Sequence, residues 1–233
     1  MEARTTMSTT TAPGAVVADV YDQLHRAILR GEFQPNERLI ELELAQQYTV
    51  GRAAIRTALA RLEQDGLVER EPNRGARVRA ISAAEAVETI EARAVLEGLA
   101  ARYAARNATD VDIADLRAIV GEMEARLAEG DLLGISAGNA RLHARLLQIA
   151  NNATVTRLIE HLQAQHIRAQ FPLILVPGRP ARSVAEHRAI VEAVAARDPV
   201  AAEAAMLDHR LHTVQTLRSL AEARGFDRLV ASE

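Results

Sequence analysis

The sequence predicts a mainly α protein in two parts, an N-terminal winged helix-turn-helix with a small β-wing and a C-terminal all-α helical bundle. Three observations predict it. Residues 41–62 carry two helical patterns separated by the three-residue break Thr49-Val50-Gly51, the spacing of a helix-turn-helix. Residues 66–79 carry two short extended runs around Pro72-Asn73-Arg74-Gly75, the pattern of a hairpin wing. From Ser82 onward apolar residues recur at helical spacing, and the only strand-like run, residues 173–176, is short and bracketed by Pro172 and Pro177. Successive amphipathic helices must bury their stripes against one another, which gives a bundle.

Residues 1–15 are small and polar without periodicity and are expected to form a disordered tail. The winged unit is expected over 16–80. Its first helix places Val17, Val20, Tyr21, Leu24, Ile28 and Leu29 on one stripe, with Gly31 positioned to end it. A short second helix covers 41–48. In the third, Ile55, Ala58, Leu59 and Leu62 share a stripe, while Arg52, Ala53, Arg56 and Thr57 lie on the flank and the opposite side. One face is built to bury and the other to meet a partner.

The bundle is expected over 82–226, followed by a tail at 227–233. Ser82 and Glu85 have the spacing of a capping box and open a helix reaching about residue 107. Further helices are expected near 110–129, 131–150, 152–169, 182–197 and 199–223. Thr109, Gly130, Asn151-Asn152, a loop over 171–180, and Asp198-Pro199 as N-cap and first helical residue mark their limits.

Composition narrows the function. The chain has 233 residues and no Cys, which excludes a disulfide scaffold and a Cys-based zinc site. No apolar run approaches the roughly 20 residues of a membrane span, and no signal-peptide segment is present, so a cytoplasmic protein without membrane contact is expected. The net charge of -3 does not announce a nucleic-acid binder, but distribution matters more than the sum. Between Val50 and Leu62 the only charged residues are Arg52, Arg56 and Arg61, and the wing adds Arg70, Arg74, Arg77 and Arg79. Every basic residue is Arg, whose planar fork binds phosphates and guanine edges bidentately.

Here the residues resemble a known family. The run Gly31-Glu-Phe-Gln-Pro-Asn-Glu-Arg-Leu39, with Glu43-Leu-Ala45, Val50-Gly-Arg52, Ile55-Arg56, Ala58-Leu59, Arg61-Leu-Glu63, Gly66-Leu67 and Asn73-Arg-Gly75, resembles the DNA-binding domain of GntR-family transcriptional regulators. That family usually has Ser, Thr, Pro and Glu where this chain has Gly51, Ala53, Ala54 and Thr57. Gly51 can still begin a helix, but it forfeits the hydroxyl that would cap an amide or touch a phosphate. The resemblance implies a homodimer on double-stranded, palindromic operator DNA. Arg52, Ala53, Arg56 and Thr57 would enter the major groove, and Arg74 and Gly75 at the wing tip the minor groove. The competing reading of Arg52 is a surface ion pair with Glu43 or Glu63, and Arg61, on a different face, is expected to be structural.

The second half resembles the FCD domain, the ligand-binding bundle of the FadR branch of that family. The residues that carry this are Arg93 and Glu97 in the helix from Glu91, Asn139-Ala-Arg-Leu-His143 followed by Asn152, His187 in Ala185-Glu-His-Arg-Ala-Ile190, and His209 in Met206-Leu-Asp-His209. The resemblance implies a divalent metal ion, zinc or nickel, held by Asn139, His143, His187 and His209, and a small organic or sugar acid effector beside Arg93. Asn139 stands where the family has Asp. An all-neutral ligand set leaves the ion its full charge, so weaker metal retention and a stronger pull on an anionic effector are expected. Two plainer readings remain: three His that are only buried and hydrogen-bonded, and an Arg93 that only pairs with Glu97. His25, His161, His166 and His212 are expected in ordinary polar roles.

No His-Glu-x-x-His, nucleophile elbow or phosphate loop is present, so a regulator rather than an enzyme is expected. The alternatives are a regulator whose helical domain only dimerises, without metal or ligand, and a metal-dependent hydrolase using an open coordination position.

Overall fold

The computed structural model describes residues 13–71 and 75–224. They form two compact units that divide between Ala80 and Ile81. In the first, α1 (Pro13–Leu29) begins earlier than the tail expected over 1–15 allows, with Pro13 at its start, where a missing N–H costs nothing. It ends in a Schellman turn: Gly31 takes φ +74, Gly31 N–H donates to Ile28 and Glu32 N–H to Ala27. The helices α2 (Glu41–Gln47) and α3 (Arg52–Gln64) follow, with the chain turning between them through a left-handed Thr49. The α3 stripe of Ile55, Ala58, Leu59 and Leu62 is buried against Val20, Leu24 and Ile28 of α1 and its neighbours. Truncating one of these leucines to Ala would cost about 2–5 kcal/mol.

The wing is a three-stranded antiparallel sheet of order β1-β3-β2, built from β1 (Arg38–Leu39), β2 (Val68–Glu71) and β3 (Gly75–Val78). Leu39 pairs with Ala76, and Val68 with Val78. Strand β1 was not expected, since two residues are too short to show alternation. Leu39 is buried, which anchors β1 on the sheet.

The second unit is the bundle α4 (Ala83–Asn107), α5 (Asp110–Glu129), α6 (Leu132–Ala150), α7 (Ala153–Ile174), α8 (Arg179–Ala195) and α9 (Pro199–Arg224). Side chains write the boundaries: Ser82 Oγ accepts from Glu85 N–H, Thr109 and Asp112 form a reciprocal capping box, and Asp198 accepts from Val200 and Ala201. Helix α4 is central, lying along α9 and touching α6, α7 and α8. Gly98 makes the α4–α9 approach close, for a Cβ there would already touch Leu207 at 3.4 Å.

A further expectation is corrected in the bundle. Helix α7 continues to Ile174 and α8 starts at Arg179, so the predicted loop over 171–180 shrinks to 175–178 and the strand-like run does not form as a strand. Leu173 packs with Ile90, Val214 and Leu217, and this burial outweighs the one backbone bond that Pro172 removes near the helix end. Pro180 sits in the first turn of α8, where proline is tolerated. No helix among the described residues is long and apolar enough to cross a membrane.

Candidate nucleic-acid interface and metal centre

In the winged unit, α3 turns Arg52, Ala53, Arg56 and Thr57 to solvent on the side away from its buried stripe. Thr57 Oγ1 donates back to the Ala53 carbonyl at 3.0 Å. Neither arginine pairs with the partners anticipated for Arg52, Glu43 and Glu63. Both instead reach Glu41 across the turn, each 3.4 Å from its Oε2, while Glu63 faces Arg70. Arg61 covers the ring of Tyr21 at 4.0 Å, the structural role expected of it. That tyrosine donates to Asp65 at 2.6 Å; burial and this bond push its pKa up to about 12. At the wing, Gly75 takes φ +88, and a Cβ there would lie 2.8 Å from the Leu39 carbonyl oxygen. Arg74 lies outside the described residues.

In the bundle, α6 presents His143, α8 His187 and α9 His209, and one ring nitrogen from each lies within 4.8 Å of the others. The far sides of two rings are fixed by carboxylates. His143 Nδ1 lies 3.0 Å from Glu97 Oε2, and His209 Nδ1 lies 2.8 Å from Glu186 Oε2. A carboxylate at Nδ1 selects the Nδ1–H tautomer and leaves the Nε2 lone pair free to bind a cation. His143 Nε2 and His187 Nε2 approach to 3.2 Å, close to the roughly 3.3 Å that separates two nitrogens on a tetrahedral zinc ion. His187 Nδ1 is buried without a partner. Burial, reinforced by Arg210 at His143 and His209 and by the other two rings at His187, lowers the pKa of all three. Neutral, converging imidazoles with carboxylate-fixed tautomers fit a divalent ion.

Glu97 is the hub of the charges behind the cluster. Its Oε1 accepts from Arg93 Nε at 2.9 Å, and its Oε2 accepts from Arg210 Nε at 2.8 Å. Burial alone would raise its pKa, but Arg210 and Arg93, helped by His143, hold it well below the usual carboxylate range. Arg179 similarly donates to Glu186 and to Thr213 Oγ1, each at 2.9 Å.

Family models match both units. Residues 17–78 match the model described as bacterial regulatory proteins, gntR family, and residues 88–212 match the FCD domain. The chain is a GntR-family transcriptional regulator. Over 203 residues it is 28% identical to the uncharacterized HTH-type transcriptional regulator YdhC of Bacillus subtilis (strain 168), covering 87% of this chain and 91% of that one. It is 26% identical over 201 residues to the HTH-type transcriptional repressor RspR of Escherichia coli (strain K12), covering 86% and 88%. Its fold matches that of E. coli McbR/YncC with a TM-score of 0.74 at 20% identity, over 88% of this chain and 98% of that one. Regulation of transcription, not catalysis, is the role of this family.

Beside His143 of this regulator lies a cavity of about 470 Å³, lined by Arg93, Glu97, Asn139, His143, Asn152 and Arg210 among others. Asn139 stands one turn before His143 and also lines a smaller cavity next to His209. Arg93 pairs with Glu97, as its i, i+4 spacing allows, yet its Nη1 is buried with no acceptor. Asn152 serves a local purpose as well, its Oδ1 accepting from Val155 N–H at the start of α7. Sequence reasoning missed Glu186, Arg179, Arg210 and Glu41. Glu186 and Arg210 each adjoin a predicted His, which was the one signal available.

Proposed function

We propose that this regulator is a homodimeric repressor of a palindromic operator, controlled by a small carboxylic or sugar acid that binds in the bundle at a divalent metal ion, zinc or nickel. His143, His187 and His209 would hold the ion, with Asn139 as a fourth, uncharged donor. The observation that carries the reading is the pair of carboxylates, Glu97 and Glu186, which fix two imidazoles so that their free nitrogens converge. When bound, the ion supplies a positive, Lewis-acidic anchor for a carboxylate. Arg93 and Arg210, both paired with Glu97, line the cavity next to His143 and would be the cationic partners for an acid there. On the DNA side, Arg52, Ala53, Arg56 and Thr57 form the surface for the major groove, and Arg74 and Gly75 that for the minor groove. An effector can shift DNA binding only by its unequal affinity for the two arrangements of the dimer.

The test combines elemental analysis of purified wild type and His187→Ala with thermal-shift screening of organic and sugar acids, followed by DNA binding with any hit. Stoichiometric metal lost in the variant, and an acid that moves both melting and DNA affinity, are the expected results. Metal-free wild type after metal supplementation, with no acid shifting its melting, would leave the reading in which the bundle only dimerises.

A further inference from the structure

Arg52 and Arg56 lie one helical turn apart on α3 and would repel each other if nothing stood between them. One carboxylate oxygen stands between them: Glu41 Oε2 is 3.4 Å from Arg52 Nη2 and 3.4 Å from Arg56 Nη2. Glu41 comes from the first turn of α2, where the helix dipole favours a negative charge. Its side chain is only 18% exposed, against 61% and 57% for the two arginines. At 3.4 Å both contacts are longer than the roughly 2.7–2.9 Å of strong charge-assisted bonds, and each uses only Nη2, so the other donors of each fork can meet a nucleic-acid acceptor while Glu41 stays in place. As surface pairs they add about 0–1 kcal/mol to stability at most. Their consequence lies in where they place the two guanidinium groups and in how much charge they leave.

We infer that Glu41 is a positioning residue that sets the sequence specificity of the recognition helix. It holds both arginines on one side of α3, from which their forks reach base edges, and it cancels one of their two charges. That cancellation weakens attachment to phosphate, which is blind to sequence, more than contact with a base edge, which depends on geometry. The inference rests on the proposal that Arg52 and Arg56 enter the major groove.

The test uses full-length protein and two duplexes, one enriched by the wild type from a random-sequence pool and a scrambled duplex of equal length and composition. Glu41→Gln removes the charge, and Glu41→Asp keeps it on a shorter arm. In Glu41→Gln, binding to the scrambled duplex should tighten, its log-log salt slope should steepen by about one, and the ratio of selected to scrambled affinity should fall about tenfold. Glu41→Asp should keep the wild-type salt slope and recover part of the ratio. Unchanged melting curves exclude a folding defect in either variant. A ratio that stays at the wild-type value in Glu41→Gln overturns the inference while leaving the groove contact intact. If Arg52→Ala and Arg56→Ala also bind both duplexes like the wild type, the groove contact itself fails.

Discussion

Acid should unfold the metal-free bundle steeply, in a pH range where its carboxylates stay silent. His143, His187 and His209 all have pKa values lowered in the folded protein, first by burial and then by neighbouring positive groups. In the unfolded chain each returns to about 6.5. Well above pH 6.5 the rings are neutral in both states and contribute no pH dependence. Below it the unfolded chain takes up protons that the folded bundle refuses, so stability falls as the pH drops through the unfolded value. One proton is worth about 1.4 kcal/mol per pH unit, so three give an upper limit of about 4 kcal/mol per unit, with His187 and His209, the two held well below the usual value, contributing most surely. That is a large part of the 5–15 kcal/mol typical of a domain. The depressed pKa of Glu97 adds stability that is lost only near and below the unfolded carboxylate value of about 4.3, beneath the window of interest. The assay is urea unfolding of chelator-treated protein at several values between pH 7.5 and 5.0, with His187→Leu as control. The variant should lose about a third of the slope. A wild-type slope worth one proton or less, or an equal slope in the variant, would refute the reasoning.

Four further outcomes are expected. Asn139→Asp adds a charged oxygen beside the imidazoles and should retain metal through chelator dialysis longer than wild type, as elemental analysis would show. Glu97→Gln leaves Arg93 and Arg210 buried without their shared countercharge and should cost about 3–5 kcal/mol, a fall of roughly 6 to 20 °C in the bundle's melting. Gly75→Ala forces a Cβ to 2.8 Å from the Leu39 oxygen at φ +88 and should destabilise the wing by about 1–3 kcal/mol or more, visible as faster amide exchange in β1 and β3. Arg56→Ala should weaken binding to a selected duplex by about 1–3 kcal/mol if the side chain reads a base, whereas an unchanged sequence preference with a shallower salt slope would mark a phosphate contact.

From residue pattern alone, the legible parts of this structure are those a single element decides; the meeting of His143, His187 and His209 from three helices was expected only through the family resemblance. Helical period alone predicted that Ile55, Ala58, Leu59 and Leu62 are buried, and all four are at or below 1% exposed. The i, i+4 spacing of Arg93 and Glu97 allowed their pairing. What escaped notice was decided between elements. Glu41 rather than Glu43 or Glu63 meets Arg52 because α2 folds back across the turn, a fact no helical projection of α3 contains. Nothing in the helical period of α8 or α9 marks Glu186 or Arg210, and only packing brings them against the imidazoles and Glu97. The extension of α7 past Pro172 has the same origin, since the burial of Leu173 depends on α4 and α9.

The same inter-element chemistry indicates which helix would carry an effector signal. Arg93 and Glu97, the residues that join the cavity to His143 and to Arg210 on α9, both belong to α4. Helix α4 is also the element that the chain enters directly from the winged unit, beginning at Ala83 just after the division at Ala80. An acid that exchanged contacts with Arg93 would alter the counter-ion balance of Glu97, and Glu97 cannot shift without moving α4 or releasing Arg210 and His143. Helix α4 lies along α9 with Gly98 in close contact, so a shift of Glu97 that keeps Arg210 and His143 as partners has to be shared with the α4–α9 packing. Coupling through α4 therefore requires that the acid bind more tightly to one α4 position than to another. An acid held equally well in both would occupy the cavity and leave DNA binding unchanged.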